Sequence, residues 1–475
     1  MLLRRLFDDK LAQASYLVAC ERARLALIVD PNRNLAQYVD AAARDNVKIV
    51  AVTETHIHAD FLSGARELAE RTGAQLYLSD TGGPDWQYRF AQEANAELLT
   101  DGSHFMVGDV RVDAIHTPGH TPEHMTFMLT DTASANTPMG ALTGDFIFVG
   151  DVGRPDLLER AAGMSGTMDA AANQLFQSLQ AFKEFPDYLQ LWPGHGAGSA
   201  CGKALGAMPQ TTLGYEKLFN WALVESDKKR FVAAALHGQP EPPAYFAIMK
   251  RSNRDGPAHT TNVVPPVASA DAIAEALGKN ADVVDTSLPA EFAVKHAKGS
   301  INIPTGKSFL NWSGALLPYD KDVWLIGETS EEARRQFALD LSLIGIHRIA
   351  GVFPSRSLDE LASRGIVLES SRETNVAGAN ENKTASVVDV RARSEFDHGH
   401  IRGAVNIPLA ELPRRLADVP AGPLVVHCQG GLRSAIAASV LSRSGRDDVT
   451  NMLGGFGEWE RAGNRVERGA VTDGR

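Results

Sequence analysis

A run of potential metal ligands, Thr-His-Ile-His-Ala-Asp-Phe at residues 55–61, constrains this chain more than any other segment. It follows residues 47–52, Val-Lys-Ile-Val-Ala-Val, whose apolar composition predicts a buried strand. Two imidazoles and a carboxylate, from His56, His58 and Asp60, therefore stand where a strand ends, and these donors suit zinc, iron, nickel or manganese. The segment predicts a transition-metal site, and the alternative is a strand-end loop whose histidines are incidental.

The composition is typical of a large globular protein. Its 475 residues exceed the size at which one core keeps growing, so roughly two to four domains are expected. Hydrophobic residues make up 44%, and a net charge of -11 disfavours binding to nucleic acid or to anionic membranes. The three cysteines are far apart, which indicates free thiols in a reducing cytoplasm. Neither a secretory signal nor a membrane span is expected, because no segment approaches about eighteen consecutive apolar residues.

Candidate ligands recur along the first part of the chain, each just after a predicted strand. Strands are predicted at residues 25–30, 75–78, 110–115, 125–129 and 141–145, with helical periodicity between several of them. His120 follows one strand, Asp145 closes another, and His195 follows the apolar residues 188–191. This alternation predicts an α/β sandwich that gathers ligands from distant parts of the sequence at one edge of a sheet.

The second half of the chain contains an internal repeat. Residues 283–304 align with residues 387–408 without a gap, sharing Val-Val-Asp, Glu-Phe, His, Gly and Asn-Ile-Pro in register. A self-similar unit of about a hundred residues is domain-sized, so we predict two copies of one α/β domain. The predicted order is a first domain at residues 1–255, a linker at 256–269, a first copy at 270–368, a second linker at 369–383 and a second copy at 384–470.

The run at residues 55–61 resembles the T-H-x-H-x-D-H signature of the metallo-β-lactamase superfamily, in which the last His helps to hold a second metal. Phe61 stands at that position, and a phenyl ring has no lone pair with which to bind a metal. We therefore expect one metal where glyoxalase II-type hydrolases carry two. The persulfide dioxygenases of this superfamily are similar here, since they hold a single Fe(II).

The resemblance to persulfide dioxygenases implies that two His and one Asp hold the iron. On matching positions these ligands are His56, His120 and Asp145, and such a set leaves positions open for O2 and a substrate sulfur. The same donors also accept zinc. Three further polar residues are expected to orient and tune the ligands, or else to be buried and satisfied by hydrogen bonds, namely His58, Asp60 and His195.

Two residues of the first domain are candidates for contact with the substrate. The resemblance places Arg154 where the family has an arginine that meets its thiol substrate, and a surface salt bridge is the alternative. Glutathione users of the family have a Tyr two residues after His195, where this chain has Ala197, so the carrier stays open among glutathione, coenzyme A and another small thiol. Cys201 is interpreted as a packing residue, with an accessory persulfide acceptor as the alternative.

In the second copy a cysteine stands where a predicted strand gives way to a helix. Residues 424–427 predict the strand and residues 434–441 the helix, with Cys-Gln-Gly-Gly-Leu-Arg between them. A thiol at a helix N-terminus is activated by backbone N–H groups and by the helix dipole. The segment resembles the rhodanese loop, and it differs from that of tyrosine phosphatases, which have five residues between Cys and Arg. The predicted nucleophile and the residues around its bound anion are Cys428, Arg433, Gln429, Gly430, Gly431 and Leu432.

The first copy lacks this chemistry. Gly327 aligns with Cys428, so the first copy has no sulfur at the position of the nucleophile. Glu328, which follows it, would repel an anion. We therefore predict an inactive rhodanese-like domain with a spacing or docking role.

Over nearly its full length the chain resembles bacterial fusions of a persulfide dioxygenase with rhodanese domains. The resemblance implies a metallo-β-lactamase-like αββα sandwich followed by two rhodanese-like α/β domains. It also implies that a low-molecular-weight thiol persulfide and O2 give sulfite, and that Cys428 exchanges sulfur among sulfite, thiosulfate and persulfide in sulfide detoxification. The alternatives are a glyoxalase II-like thioester hydrolase and a non-catalytic persulfide sensor, and homo-oligomerisation is left open.

Overall fold

The computed structural model describes residues 1–157, 159, 166–203, 205–239, 241–260 and 263–468. The chain divides into two compact units, Met1–Thr261 with Ser342–Gly345 and Asn262–Leu341 with Ile346–Arg475. The finer division into five segments stays a prediction. Within the described part of the chain, no helix has both the length and the apolar composition needed to cross a bilayer.

Two mixed sheets pack face to face in the first unit. The first sheet has, in order, strands Leu2–Asp8, Gln13–Cys20, Leu25–Val29, Lys48–Thr53, Gln75–Ser79 and Glu97–Leu99. The second has, in order, strands Thr211–Thr212, Gln190–Pro193, Gly140–Gly144, Met125–Asp131, Val110–His116 and His104–Val107. One hydrophobic core joins Tyr16 and Leu27 of the first sheet to Phe127 and Leu142 of the second, so their inner faces exclude water together.

Helices cover the outer faces of both sheets. Tyr38 packs with Ile28 on the outside of the first sheet, and Leu175 packs with Leu191 on the outside of the second. The helices are Leu35–Arg44, Ala65–Thr72, Met168–Phe182, Leu213–Phe219, Trp221–Val224, Lys228–Leu236 and Phe246–Asp255, with a 3-10 turn at Pro84–Trp86. This arrangement confirms the predicted αββα sandwich.

Strand direction explains why the candidate ligands converge. The strand before His120 and the strand before Asp145 are both antiparallel to the strand between them, so they run the same way. The strand before His195 is parallel to the strand before Asp145. The carboxyl ends of these three strands therefore meet at one edge of the second sheet, as the sequence predicted.

Each copy of the repeat builds a parallel sheet in the second unit. The first copy has strands in the order Ile301–Asn302, Asp282–Asp285, Val323–Gly327 and Ile349–Pro354, and a separate pair, His296–Ala297 with Leu368–Glu369. Its helices are Ala270–Gly278, Pro289–Val294, Phe309–Leu316, Glu331–Leu343 and Leu358–Ala362, with a 3-10 turn at Ser355–Ser357.

The second copy repeats this order and adds one strand. Its strands lie in the order Val405–Asn406, Ser386–Asp389, Leu424–His427, Val449–Met452 and Arg372–Thr374, and a separate pair joins His400–Ile401 to Val466–Glu467. Its helices are Val376–Glu381, Arg393–His398, Leu432–Arg443 and Gly455–Arg461, with 3-10 turns at Leu412–Arg414 and Leu416–Asp418. The aligned segments of the repeat therefore form the same fold twice.

The added strand comes from the stretch predicted as a linker, residues 369–383. Arg372–Thr374 pairs in parallel with Val449–Met452 at the edge of the parallel sheet of the second copy, and the helix Val376–Glu381 follows it. The polar composition of this stretch suggested a joint. An edge strand, however, needs a partner on one side only and tolerates polar residues, so composition did not distinguish it from a linker.

A glycine sets how closely a helix approaches the loop that carries His120. Gly119 has φ +146°, and a Cβ at this position would lie 2.5 Å from the Cα of Leu175. We predict that Gly119→Ala destabilises the first unit by about 1–3 kcal/mol through overpacking, which thermal unfolding would measure. Gly196→Ala is the matched control, because a Cβ there meets nothing closer than 3.4 Å, at Phe7. Equal destabilisation by the two substitutions would contradict this account.

Candidate metal centre and thiol loop

The three predicted metal ligands lie together in the first unit. His56, His120 and Asp145 are buried, and one potential ligand atom from each lies within 4.8 Å of the others. Nε2 of His120 lies 3.4 Å from Oδ2 of Asp145, and the rings of His56 and His120 meet edge to face. The structure thus brings these residues into one group, and their role as ligands stays a prediction.

The hydrogen bonding of Asp145 fits a cation at this group. Both carboxylate oxygens are buried and accept no hydrogen bond from the residues that the structure describes. A buried carboxylate without donors is costly, and a divalent ion would compensate its charge. Imidazole and carboxylate donors suit ferrous iron and zinc alike, so the donor set supports a divalent metal without selecting between the two.

The two imidazoles of the group are in the form that binds metals. Burial and the neighbouring His58 and His120 hold the pKa of His56 well below its ordinary value, and burial also lowers the pKa of His120. The Nδ1 atom of His56 lies 3.0 Å from the Thr55 hydroxyl, and the Nδ1 atom of His120 lies 3.1 Å from the carbonyl of Arg154. These partners leave the Nε2 atoms of both rings to act as ligands.

His58 differs from its neighbour His56. Its Nε2 atom lies 3.1 Å from Oδ1 of Asp30. Burial alone would lower the pKa of His58, but the Asp30 carboxylate outweighs it and raises the pKa to about 9. Asp30 therefore occupies the Nε2 atom of His58, and the supporting role of His58 stays a prediction.

Asp30 is a residue that the sequence argument missed. Its carboxylate accepts hydrogen bonds from the backbone N–H and the hydroxyl of Thr55, at 2.6 and 2.9 Å, in addition to its contact with His58. Asp30 directly follows the strand Leu25–Val29, so its position at a strand end was the available signal. Asp30 therefore holds Thr55, the residue just before the candidate ligand His56, in place.

His124 is a second residue that was missed. The backbone N–H of Asp145 donates to Nε2 of His124 at 3.1 Å, while Nδ1 of His124 lies 2.9 Å from the Thr117 hydroxyl. The rings of His124 and His56 also stack, with their centroids 5.1 Å apart. His124 therefore fixes the backbone of one candidate ligand and packs against another. An imidazole next to the strand Met125–Asp131 was the only sequence signal for it.

Asp60 and His195, predicted as supporting residues, form a second group beside the first. Nε2 of His195 lies 3.2 Å from Oδ2 of Asp60 and 3.5 Å from Oδ1 of Asp145. Cys201 completes the group, because one potential ligand atom from each of Asp60, His195 and Cys201 lies within 4.8 Å of the others. Burial, Asp60 and Asp145 raise the pKa of the Cys201 thiol well above its ordinary value.

Phe61 is fully buried, and its ring lies 4.4 Å from that of His58. Asn253 holds the backbone around it, since its Nδ2 atom donates to the carbonyls of His58 and Phe61 at 2.8 Å each. The Oδ1 atom of Asn253 accepts from the backbone N–H of Ser63 at 2.9 Å. Asn253 lies far away in sequence, so the run at residues 55–61 gave no indication of this support.

Arg154 is fully buried, which excludes the alternative of a surface salt bridge. Its Nε and Nη2 atoms donate to the two carboxylate oxygens of Asp156 at 2.8 Å each, and Nη1 donates to the carbonyl of Ala200 at 3.2 Å. In this arrangement the guanidinium binds Asp156 and the segment just before Cys201. Contact between Arg154 and a thiol substrate stays a prediction.

In the second unit, Cys428 directly follows the strand Leu424–His427 and is 1% exposed. The Gly431 N–H donates to Sγ of Cys428 at 3.1 Å, and the hydroxyl of Ser434 lies 3.6 Å from the same sulfur. Gly431 has φ +109°, a backbone conformation that favours glycine. The helix begins at Leu432, two residues before the predicted start, so the thiol stands at its N-terminus as predicted.

Arg433 is held by a carboxylate that the sequence argument did not assign. Its Nη1 and Nη2 atoms donate to Glu395 at 2.6 and 2.9 Å. Burial would raise the pKa of Glu395, but the Arg433 guanidinium outweighs it and lowers that pKa. Arg391 donates to the side-chain carbonyl of Gln429 at 3.3 Å and is itself paired with Asp389. Direct contact of Arg433 with a bound anion stays a prediction, as do the anion contacts of Gln429 and Gly430.

In the first copy, the Glu328 side chain bonds to the backbone amides of the loop that corresponds to the Cys428 loop. A Cβ at Gly327 would lie 2.4 Å from the hydroxyl of Thr286, so the site has little space for a larger residue. The Glu328 carboxylate accepts the backbone N–H groups of Thr329 and Ser330 at 2.9 and 3.0 Å. These are loop amides of the kind that would bind an anion, which supports the predicted inactivity of this copy.

Comparisons with known proteins match part of each unit to a family. Residues 8–195 match the metallo-beta-lactamase superfamily, and residues 374–462 match the rhodanese-like domain. The solved structure of a metallo-beta-lactamase from Staphylococcus aureus is 39% identical, with a TM-score of 0.67, over 74% of this chain and 98% of that chain.

Curated relatives of the first unit include both oxidative and hydrolytic proteins. The mitochondrial persulfide dioxygenase ETHE1 of Bos taurus is 28% identical over 34% of this chain and 59% of its own length. A probable polyketide biosynthesis zinc-dependent hydrolase, BaeB of Bacillus velezensis, is 25% identical over 42% of this chain and 80% of its own length. This chain thus spans less than two thirds of the ETHE1 protein, and the two relatives differ in chemistry.

The contact between His124 and Asp145 generates a prediction about metal affinity. His124→Ala removes the acceptor for the backbone N–H of Asp145, so the affinity of the metal-free chain for an added divalent ion should fall by about 10–100-fold. Competition with a chromogenic chelator measures this. His116→Ala is the control, because the Nε2 atom of His116 lies 2.7 Å from the Pro122 carbonyl, away from the backbone of Asp145. A similar loss of affinity in both variants would contradict the prediction.

Proposed function

Because this chain belongs to the metallo-β-lactamase superfamily and carries a rhodanese-like domain, we propose that it oxidises a small thiol persulfide with O2 and transfers sulfur through Cys428. The observation that carries the proposal is the pairing of two sites in one chain. One is the buried group of His56, His120 and Asp145, and the other is a thiol at a helix start. Each site suits a different step of persulfide chemistry.

We propose that the first site, whose donors suit ferrous iron and zinc alike, holds a ferrous ion. When bound, such an ion supplies the redox chemistry that brings O2 and a sulfur substrate together. The Thr55 hydroxyl donates to Asp30 and therefore accepts the Nδ1 proton of His56. The Arg154 carbonyl accepts the Nδ1 proton of His120 in the same way. Both tautomers are thus fixed with Nε2 unprotonated.

The proposed oxidation balances without an added reductant. The persulfide R–S–S⁻, O2 and one water give the thiolate R–S⁻, sulfite and two protons. The S–S bond breaks, the terminal sulfur loses four electrons, and O2 takes up those four electrons. The carrier thiol is released unchanged in oxidation state, and its identity stays open among glutathione, coenzyme A and another small thiol.

The proposed second step uses the loop of Cys428. A persulfide on Cys428 gives its outer sulfur to sulfite, so that thiosulfate leaves and the cysteine thiolate remains; the reverse reaction loads the cysteine. Gly431 donates its backbone N–H toward Sγ, and the N-terminus of the following helix favours negative charge there. The Gly431 N–H and the helix N-terminus favour an anion bound next to the sulfur. The two arginines near the loop are paired with carboxylates, Arg433 with Glu395 and Arg391 with Asp389.

Thioester hydrolysis is the second candidate function. The zinc-dependent hydrolase among the relatives favours it, because the donors of the first site also accept zinc. A metal-bound hydroxide would then attack an acyl-thiol. Phe61 argues against hydrolysis, because it stands at the position where two-metal hydrolases have an imidazole ligand.

Oxygen uptake distinguishes the two functions. The chain reconstituted anaerobically with ferrous iron should consume O2 and release an equal amount of sulfite when glutathione persulfide or coenzyme A persulfide is added. His56→Ala should lower this rate by more than about a hundredfold by removing a ligand, whereas His116→Ala should retain it. Release of acid from a thioester without O2 uptake would overturn the proposal in favour of hydrolysis.

Replacement of Cys428 tests the second step separately. Cys428→Ser should reduce the formation of thiosulfate from sulfite and persulfide by more than about a thousandfold, because the nucleophile is lost. Oxygen uptake by the same variant should continue. Cys20→Ser, at a thiol that bonds to Asp109 at 3.3 Å, is the control and should change neither rate. Loss of both activities in Cys428→Ser would contradict the two-site scheme.

A further inference from the structure

We propose that the first copy of the repeat binds a guanidinium group between Asp285 and Glu328, and that an arginine of a partner polypeptide supplies it. The site lies in the copy that has Gly327 at the position of the nucleophile. Binding there requires neither the metal group of the first unit nor the Cys428 loop. It therefore goes beyond the proposed reactions and gives the predicted docking role a class of ligand.

The second copy shows how this fold holds a guanidinium at the corresponding place. Arg391 is 2% exposed, and its Nε and Nη2 atoms donate to Oδ1 and Oδ2 of Asp389 at 3.0 and 2.7 Å. Its Nη1 atom donates to the side-chain carbonyl of Gln429 at 3.3 Å. The guanidinium thus bridges a carboxylate at a strand end and the residue that follows Cys428.

The first copy keeps the acceptors of this arrangement and lacks its donor. The positions of Asp389, Arg391 and Gln429 are taken by Asp285, Ser287 and Glu328. A carboxylate, a guanidinium and a neutral amide in the second copy therefore correspond to two carboxylates and a hydroxyl in the first. The first copy has more negative charge at the place where the second has an arginine.

The strand register is the same in both copies. In each copy the aspartate pairs with the residue two positions before the acceptor on the loop, Asp285 with Ile326 and Asp389 with His427. The shared register therefore places Glu328 relative to Asp285 as it places the loop acceptor of the second copy.

The carboxyl group of Asp285 lacks a compensating charge. It is 1% exposed, and its Oδ1 atom accepts the backbone N–H of Ser287 at 2.9 Å, whereas Oδ2 is buried and accepts no hydrogen bond from the described residues. Burial raises the pKa of Asp285, and the nearby Glu291 carboxylate adds to this. Burial also lowers the pKa of His296, so this neighbouring imidazole is uncharged at neutral pH. A cation would stabilise a carboxylate in such surroundings.

Glu328 supplies a second carboxylate on the exposed side of the loop. Its Oε1 atom accepts the backbone N–H groups of Ser330 and Thr329, and these bonds, together with the charge of Arg356, lower the pKa of Glu328. In the part of the chain that the structure describes, Arg356 forms no ion pair with Glu328 or Asp285. A planar guanidinium has five N–H donors and can bond to two carboxylates at once, which a compact ammonium group does less well.

Two exposed apolar side chains beside this site favour a polypeptide as the source of the guanidinium. Leu288 directly follows Ser287 and is 58% exposed, and Val294, at the end of the next helix, is 76% exposed. The second copy has Ala392 and His398 at these positions. A polypeptide segment around an arginine can cover such a surface, whereas a small guanidinium compound cannot.

Binding of a capped arginine tests the site. The full chain is titrated with N-acetyl-arginine amide, and binding is followed by saturation-transfer difference NMR. We expect saturable binding that is at least about tenfold tighter than that of N-acetyl-lysine amide, because only the guanidinium can bond to both carboxylates. Absence of saturable binding, or equal affinity for the two compounds, would overturn the proposal.

Three variants locate the binding. Ser287→Arg should abolish it, because the chain then supplies its own guanidinium as the second copy does, and Asp285→Asn should weaken it by at least about tenfold. Glu328→Gln should weaken it by at least about threefold, whereas the matched change of an exposed carboxylate on the following helix, Glu332→Gln, should leave it unchanged. Binding that survives Ser287→Arg contradicts the assignment, and this variant and Glu328→Gln decide if Asp285→Asn fails to fold.

A peptide distinguishes the two sources of the guanidinium. A short peptide with one arginine between leucines should bind at least about tenfold more tightly than N-acetyl-arginine amide, because it also covers Leu288 and Val294. Replacing both of these residues by Ser should remove the advantage of the peptide and keep the affinity for the capped arginine. Equal affinity of the wild-type chain for the two ligands would overturn the assignment to a polypeptide in favour of a small guanidinium compound.

Discussion

Two buried carboxyl groups without hydrogen-bond donors, Asp60 and Asp145, are the constraint on which the first unit depends. In the described residues nothing donates to their oxygens, although imidazoles and a thiol surround them. Burying such groups costs several kcal/mol, of the order of the whole stability margin of a domain, unless an opposite charge accompanies them. The sandwich therefore places these groups where a cation can compensate them, and the loops around the sheet edge serve that arrangement.

Carbonyls and hydroxyls, which are themselves held by the fold, orient the imidazoles of this edge. The Arg154 and Ala12 carbonyls face the Nδ1 atoms of His120 and His195. Asp30 accepts from the hydroxyl that faces His56, so a carboxylate at the end of one strand sets the tautomer of a ring in the next loop. Because these partners come from separate parts of the sequence, the donor set exists only once the sheets have packed.

The repeated pattern of strand ends followed by ligands was sufficient to predict an α/β sandwich with ligands gathered at one sheet edge. The family resemblance, and not the pattern, implied the αββα arrangement and selected His56, His120 and Asp145. The sequence did not reveal His124 or the pairing of Arg154, since a single polar residue has no spacing that identifies its partner. The interpretation of Cys201 as a packing residue stays a prediction. In its buried group, His195 is near in the chain, whereas Asp60 is far away and is brought close only by the tertiary structure.

The two copies of the repeat show which shared residues are structural. Asn302 and Asn406 each donate to the carbonyl of the aspartate in their own copy, Asp285 or Asp389, at 3.1 and 3.0 Å. In each copy the shared Phe also stacks on the shared His, with centroids 3.9 and 3.8 Å apart. The first copy keeps both contacts although it has Gly327 at the position of the cysteine. The contacts therefore stabilise the fold and are not specific to sulfur transfer. The residues that made the repeat visible are thus distinct from those that separate an active loop from a closed one.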